Sequence, residues 1–200
     1  MKTITKEITL FKLAELPEDI QEEIISTFRQ NDDYAWNTEN ADTLKAFEQI
    51  FPVKVRSYEY GYRNDIDFIT SVPDPILALR GPRLSKYIYN NFYPSLVKGK
   101  YYSKPRSKGT GYVSYHSKCQ TSFGDCPLTG YGMDNDILDP IFAFLKTPSP
   151  DTDLADLMRD CLYAWLYACR DDYEYWMSEP SIREDIEAND YDFTEDGSIY

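Results

Sequence analysis

Residues 149–177, SPDTDLADLMRDCLYAWLYACRDDYEYWM, form the longest stretch of the chain with an unbroken helical pattern. Apolar residues recur there at three- and four-residue spacing, which places them on one face of a helix. They are Leu154, Leu157, Cys161, Trp165 and Cys169. Ser149 is a favourable N-cap and Pro150 a favourable first residue of a helix. The pattern therefore predicts a long C-terminal helix that begins near Pro150 and buries this face.

Two of these residues are cysteines, which raises the question of a disulfide or a metal site. Eight residues of helix separate Cys161 from Cys169, so their backbones lie about 12 Å apart. That distance is too long for a disulfide or for one shared metal ion. We expect both to be core residues.

Shorter patterns surround the long helix. Residues 16–31 and 40–52 repeat apolar side chains at helical spacing, and residues 81–94 open with Gly81-Pro82 and do the same. Residues 136–148 predict a short helix that starts at Asp139-Pro140. Strand-like alternation occurs at 3–11, 53–62 and 66–72. The end of the chain, 191–200, predicts a short terminal strand or a hairpin, with a two-residue turn at Asp196-Gly197.

Together these elements predict an α+β fold in which a small antiparallel sheet packs with about five helices, including the long C-terminal one. A chain of 200 residues suits a single domain over 1–200, with or without a small appended lobe. No run of eighteen apolar residues occurs, and the N-terminus lacks the apolar core of a signal peptide. Four cysteines in such a chain indicate reduced thiols, and hence the cytoplasm.

Charge is distributed unevenly along the sequence. The whole chain carries a formal net charge of −13, whereas residues 98–118 carry six Lys or Arg and no acid. Residues 119–200 hold 19 acids against four bases. One interpretation is that the acids only favour solubility. The other is that carboxylates on a stiff helix imitate nucleic-acid phosphates, because a helix rises about 1.5 Å per residue and duplex DNA carries one charge per roughly 1.7 Å.

The second interpretation predicts a binding surface for a partner protein. Its candidate residues are Asp151, Asp153, Asp156, Asp160, Asp171, Asp172, Glu174, Glu184, Asp185, Glu187 and Asp190. Such a protein would act without catalysis, because the sequence lacks a nucleophile elbow and a glycine-rich phosphate loop. We therefore predict that it is not an enzyme and needs no cofactor.

The basic segment 98–118 offers a different function. Its cations alternate with tyrosines, a composition that can grip a phosphate backbone and stack on bases. The candidate nucleic-acid-binding residues are Lys98, Lys100, Tyr101, Tyr102, Lys104, Arg106 and Lys108. The surrounding negative field opposes the approach of nucleic acid. The segment could equally contact the acidic region, within one chain or between two copies in a homo-oligomer.

A third alternative is a zinc- or thiol-dependent enzyme. His116 is the only histidine, and Cys119 and Cys126 follow it closely, so the three could supply ligands to zinc or a nucleophilic pair. The paired C-x2-C spacing of zinc knuckles is missing. The carboxylates of Asp134, Asp136 and Asp139 lack the glycine and the closing Glu of a calcium loop. The leading prediction for metal is therefore none.

Three stretches resemble a family of small acidic proteins from phages and prophages of gut Gram-positive bacteria. They are residues 126–145, residues 160–200 and, less distinctly, residues 78–94. The family has no established activity, so the resemblance supplies no catalytic residue. It implies a viral protein that works inside a bacterial host cell. Compact acidic proteins of that setting are often inhibitors of CRISPR effectors or restriction enzymes, which makes an anti-defence inhibitor the leading prediction.

Overall fold

The computed structural model describes residues 7–31, 34–61, 63–96, 128–130 and 133–200. In chain order the helices are α1 (Glu18–Asn31), α2 (Asn37–Ile50), α3 (Asp74–Leu77), α4 (Gly81–Asn91), α5 (Tyr93–Leu96), α6 (Met133–Lys146), α7 (Leu154–Trp176) and α8 (Glu179–Ala188). The strands are β1 (Val53–Glu59) and β2 (Asp65–Thr70), and a 3-10 helix covers Leu13–Glu15. The fold is α+β with a small antiparallel sheet and a long helix in its C-terminal part, as predicted. Within the described ranges, no helix combines the length and apolar character needed to cross a membrane.

The chain divides into two compact units. Met1–Ala35 and Asp171–Tyr200 form one, here called the terminal unit, and Trp36–Arg170 form the other, the central unit. The boundary falls within α7, between Arg170 and Asp171. The prediction of a single domain over 1–200 stays a prediction.

The central unit contains the strand pair. β1 and β2 are antiparallel, with Val53 opposite Thr70 at one end and Glu59 opposite Asp65 at the other. A bulge between Val55 and Ser57 leaves one extra residue on β1. Such a bulge bends the strand and increases its twist. The prediction of paired strands here is confirmed.

The predicted apolar face of α7 forms the core of the central unit. All five residues of that face are buried, and Trp165, Cys161 and Cys169 have no exposed surface. Tyr58 of β1 packs its ring edge-on against Trp165, with 4.9 Å between the ring centroids. Buried side chains of α2, α4 and α6 complete the core: Leu44, Phe47, Leu84, Ile88, Ile137, Leu138, Ile141 and Phe144. Both cysteines are free thiols in this core, as expected.

The predicted start of α6 is wrong. The helix begins at Met133, not at Asp139, and Pro140 lies inside it. The reason is a side chain that the apolar pattern does not reveal. The buried carboxylate of Asp134 accepts hydrogen bonds from the amides of residues 128–130, which fixes the first turn of the helix six residues earlier. A proline inside a helix costs about 3 kcal/mol, which the burial of four large apolar residues of this helix outweighs.

The predicted start of α7 is also four residues early. The helix begins at Leu154, and the carboxylate of Asp153 accepts a hydrogen bond from the amide of Asp156, the interaction of an N-cap. The hydroxyl of Ser149 accepts instead from the amide of Asp151 in a local turn. Two good capping residues precede the apolar face, and the nearer one caps the helix.

The terminal unit has its own small core. α1 and α8 pack together, and the helix predicted over residues 16–31 is confirmed. The buried side chains are Leu13, Leu16, Ile24, Ile25, Ile182, Ile186 and Phe193. Phe28 and Tyr191 pack at its edge with their rings 5.5 Å apart in a T-shaped contact. Residues from the two ends of the sequence thus meet in one unit.

The strand predicted at residues 3–11 is wrong over its described part. Residues 7–10 have no regular structure, and only Phe11 forms an isolated antiparallel bridge, to Phe193. The amide of Lys12 donates to the Glu15 carboxylate, which turns the chain into the 3-10 helix. Phe193 also bridges Ile199, so the predicted terminal hairpin exists in minimal form. Its turn spans three residues, because the amide of Thr194 donates to the carbonyl of Ser198.

Replacing Gly197 in this turn with alanine should destabilise the protein. The φ of Gly197 is +82°, and an added Cβ would lie 3.0 Å from Cγ2 of Ile20 and 3.3 Å from Cγ1 of Ile24. Gly197→Ala should therefore combine backbone strain of about 1–2 kcal/mol with a clash, for a total loss of about 2–3 kcal/mol. Urea denaturation of the variant measures this loss of unfolding free energy.

Gly130→Ala is the matched comparison. Gly130 also has a positive φ, +97°, but an added Cβ would meet nothing within 4 Å. Only the strain remains, so the expected loss is about 1–2 kcal/mol. Equal losses of unfolding free energy in the two variants would show that the clash of the added Cβ with α1 does not contribute.

Candidate functional site

Acidic charge is concentrated in the terminal unit. Its described residues include 17 acids and three bases, which gives a net charge of −14. The described residues of the central unit hold 14 acids and ten bases, a net charge of −4. The terminal unit is the smaller one and carries the larger negative charge. Its surface is therefore the leading candidate for a functional site.

Lys12 is the first of the three bases, and it is already paired. Its ammonium lies 2.7 Å from carboxylate oxygens of both Asp190 and Asp192. The hydrogen bonds to these two acids raise the pKa of Lys12 above its usual value, and the same bond lowers the pKa of Asp190. Lys12, which precedes the 3-10 helix, thus links this helix to the segment after α8. Among the described residues, it forms no ion pair with an acid of α1 or α8.

The other two bases are also engaged. The Arg183 guanidinium donates to the carboxylate of Glu179 at 2.8 Å and to the side-chain oxygen of Gln21 at 2.8 Å. Arg29 donates through Nε to the carbonyl of Met177 at 2.9 Å. These contacts link α1, α8 and the end of α7. Within the described part of the chain, neither arginine forms an ion pair with the exposed acids that follow Arg183.

Apart from Glu179, which pairs with Arg183, the exposed acids of α1 and α8 make up what we call the α1–α8 acidic surface. Its members are Glu18, Asp19, Glu22 and Glu23 of α1 and Glu184, Asp185 and Glu187 of α8. Of these seven acids, only those of α8 are among the binding residues predicted from the sequence. Those of α1 were missed because residues 1–97 taken together carry a net charge of only −4. The sequence pattern does not show that the two ends of the chain meet. They meet because α1 packs on α8.

The eleven acids predicted from the sequence divide between the two units. Asp151, Asp153, Asp156 and Asp160 belong to the central unit, and the other seven belong to the terminal unit. In the central group, Asp153 pairs with Arg80 at 3.1 Å and Asp156 pairs with Arg159 at 2.9 Å. Asp160 is exposed, and partial desolvation, with a smaller contribution from Asp156, raises its pKa. The central group is therefore partly neutralised by the chain's own arginines.

The acids at the end of α7 have mixed environments. Asp171 and Glu174 are exposed, while Asp172 is half-buried and accepts a hydrogen bond from the hydroxyl of Tyr34. The ring of Tyr34 also packs edge-on against Tyr173, 5.5 Å between centroids. Asp172 therefore helps to hold α7 to the segment that precedes α2, within the terminal unit.

A cleft of about 260 Å³ opens beside the acidic surface. Its walls come from α1, the end of α7 and α8, and they combine aromatic rings with carboxylates. The lining residues are Phe28, Tyr175, Trp176, Ser181, Ile182, Glu184, Asp185 and Ala188. Tyr175 is 62% exposed and forms an outer wall. Sequence reasoning missed this cleft because its walls come from three separate helices.

A second cleft, of about 460 Å³, lies in the central unit between α4, α5 and α6. It contains two lysines, Lys86 and Lys146, and no acid among its lining residues. Tyr89 and Tyr93 stack in its wall, with ring centroids 4.9 Å apart and planes 19° from parallel. The cleft thus combines positive charge with exposed aromatic surface.

Several predicted residues lie outside the described ranges. These are the basic segment 98–118, with Lys98, Lys100, Tyr101, Tyr102, Lys104, Arg106 and Lys108, and the zinc or thiol candidates His116, Cys119 and Cys126. Within the described ranges, no group of three His, Cys, Asp or Glu side chains is arranged to hold a metal ion. Burial raises the pKa of the Cys161 thiol well above its usual value, so this cysteine is a poor nucleophile.

Comparison of the chain with protein-family models, with curated proteins and with solved structures gives no match in any of the three. The resemblance to small phage proteins stays a prediction, and no residue role can be transferred from a relative.

Proposed function

We propose that the protein is a phage-type, non-enzymatic anti-defence inhibitor that acts in the cytoplasm of a bacterial host cell. Its α1–α8 acidic surface competes with nucleic acid for a host effector, either a CRISPR effector or a restriction enzyme. The observation that carries the proposal is the concentration of 17 acids against three bases among the described residues of one small unit. An acidic surface of this kind steers toward the basic grooves that hold nucleic acid.

The charge density of the surface supports this proposal. α1 has 14 residues and is therefore about 21 Å long. α1 and α8 together carry eight acids and the bases Arg29 and Arg183, a net charge of −6. Over the length of α1 this is about one net charge per 3.5 Å, close to the roughly 3.4 Å that separates phosphates along one DNA strand. A groove that accepts a single strand would meet a similar field here.

A mobility-shift titration at low salt tests the proposal against nucleic-acid binding. A competitor of nucleic acid repels both DNA and RNA, so we expect no shift of labelled single or double strands up to micromolar protein. If the protein instead bound the labelled nucleic acid with an affinity that falls steeply as salt rises, the result would count against the inhibitor, since that salt dependence marks contacts to phosphates. It would favour the second candidate function, nucleic-acid binding.

The second candidate function is nucleic-acid binding by the central unit. The observation that favours it is the cleft with Lys86, Lys146 and the stacked Tyr89 and Tyr93. Its volume falls within the 300–1,000 Å³ typical of ligand sites. Lysines can contact phosphates there, and tyrosines can stack on bases. Lys86→Glu and Lys146→Glu together would abolish any shift that arises from this cleft.

A further inference from the structure

We propose that the cleft between α1, α7 and α8 holds an arginine side chain of the partner protein. This inference rests on the proposed function and adds the chemistry by which the partner is anchored. Proteins that bind nucleic acid present arginines in their grooves. Buried arginines in pockets are also among the residues that contribute most to protein–protein binding.

The size of the cleft favours a side chain over a larger ligand. Its volume of about 260 Å³ is below the range of about 300–1,000 Å³ that accommodates cofactors and drug-sized molecules. The cleft lies in the unit whose described residues carry the larger negative charge, so its surroundings favour a cation.

Two of the three aromatic side chains that line the cleft are held by contacts with other rings. Phe28 is held by the T-shaped contact with Tyr191, and Trp176 by an edge contact with Tyr34 at 6.3 Å between centroids. Immobile rings require little ordering when a ligand binds. A guanidinium stacks on such rings through its flat, weakly hydrated face, which an ammonium lacks.

Carboxylates at the rim supply the complementary charge. Glu184 lines the cleft, is exposed and has no hydrogen-bond or ion-pair partner among the described residues. Asp185 uses one oxygen, Oδ1, to accept from the side-chain amide of Asn189 at 2.9 Å. Arg183, the base nearest to them in sequence, is held by Glu179 and Gln21. The rim is thus set to pair with an external guanidinium, which can bind a carboxylate through two parallel hydrogen bonds.

The test is an NMR titration of the full chain with the peptide acetyl-Gly-Arg-Gly-amide. We expect saturable shifts of the Trp176 indole and the Ser181 amide. The same peptide with citrulline, which keeps the shape of arginine but lacks its charge, should cause no such shifts. Tyr175→Ala and Glu184→Gln should each weaken binding about tenfold, because each removes one of the two attractions.

Two matched variants control for general effects. Tyr200→Ala and Glu195→Gln alter an exposed tyrosine and an exposed glutamate of the same unit outside the cleft, and both should leave the affinity unchanged. Equal binding of the citrulline peptide, equal effects of the control variants, or no saturable shift would each overturn the inference.

The inference and the proposed function fail in different ways. If the arginine peptide binds in the cleft but the protein displaces no nucleic acid from a host effector, the site stands and the inhibitor function fails. If displacement occurs with full strength in the Tyr175→Ala variant, the function stands and the arginine site fails.

Discussion

Replacing Asp134 with alanine should lower the unfolding free energy of the central unit by about 4 kcal/mol, since each buried donor that is left without an acceptor costs about 1–3 kcal/mol. Asp134 has no exposed surface. Its Oδ2 accepts from the amides of Leu128, Thr129 and Gly130 at 2.7–3.0 Å. Its Oδ1 accepts from the hydroxyls of Thr129 and Thr43 at 2.8 and 3.2 Å. The side chain therefore joins α2, residues 128–130 and α6. Alanine at this position removes the acceptor of all five hydrogen bonds.

Urea denaturation of three variants measures this effect. Asp134→Asn keeps one acceptor oxygen for the amides, and its NH2 group can donate to the hydroxyls, so the expected loss is only about 1–2 kcal/mol. Asp136→Ala removes an exposed acid two residues further along the same helix and should cost less than about 1 kcal/mol. A loss for Asp134→Ala as small as that for Asp136→Ala would contradict the structural role of this network.

Reversing three charges of the acidic surface should weaken binding to the host effector about a hundredfold without unfolding the protein. The variant combines Glu22→Lys, Glu23→Lys and Glu187→Lys, which lie on α1 and α8 and do not line the aromatic cleft. All three side chains are exposed. Reversal turns an attraction into a repulsion, worth about 1 kcal/mol for each exposed pair. The combined loss of about 3 kcal/mol corresponds to roughly a hundredfold weaker binding.

A variant of the central unit with the same change in net charge is the control. Glu59→Lys, Asp65→Lys and Asp74→Lys also replace three exposed acids by lysines. If binding depends on where the acids lie, this variant binds the effector nearly as well as the wild-type protein in a pull-down at several salt concentrations. If total charge decides, the two variants weaken binding equally, and the α1–α8 acidic surface loses its role.

The sequence predicted those elements of the fold that depend on local apolar spacing. α1, α2, α4, the strand pair and the buried face of α7 all follow from repeats of three, four or two residues. The starts of α6 and α7 did not follow, because each is set by an acidic side chain that binds backbone amides. Asp153 caps α7, Asp134 anchors the first turn of α6 to residues 128–130, and apolar spacing alone encodes neither contact.

The candidate site was harder to predict than the fold. Charge counts along the chain identified the acids of α8 but not those of α1, because bases elsewhere in residues 1–97 offset Glu22 and its neighbours. The cleft is formed by residues as far apart as Phe28 and Ala188, which meet only when the two ends of the chain pack together. Asp153 and Asp156, in contrast, were predicted as binding residues and lie in ion pairs with arginines of their own unit.

Displacement of nucleic acid from the partner tests the proposal that the acidic terminal unit occupies a groove that otherwise holds nucleic acid. Immobilised protein captures its partner from bacteria that carry CRISPR and restriction systems, and the partner, identified by mass spectrometry, is loaded with labelled guide RNA or duplex DNA. We predict that wild-type protein releases the label stoichiometrically and that the Glu22, Glu23, Glu187 triple-lysine variant does not. A partner that keeps its nucleic acid while bound to this protein would contradict the account.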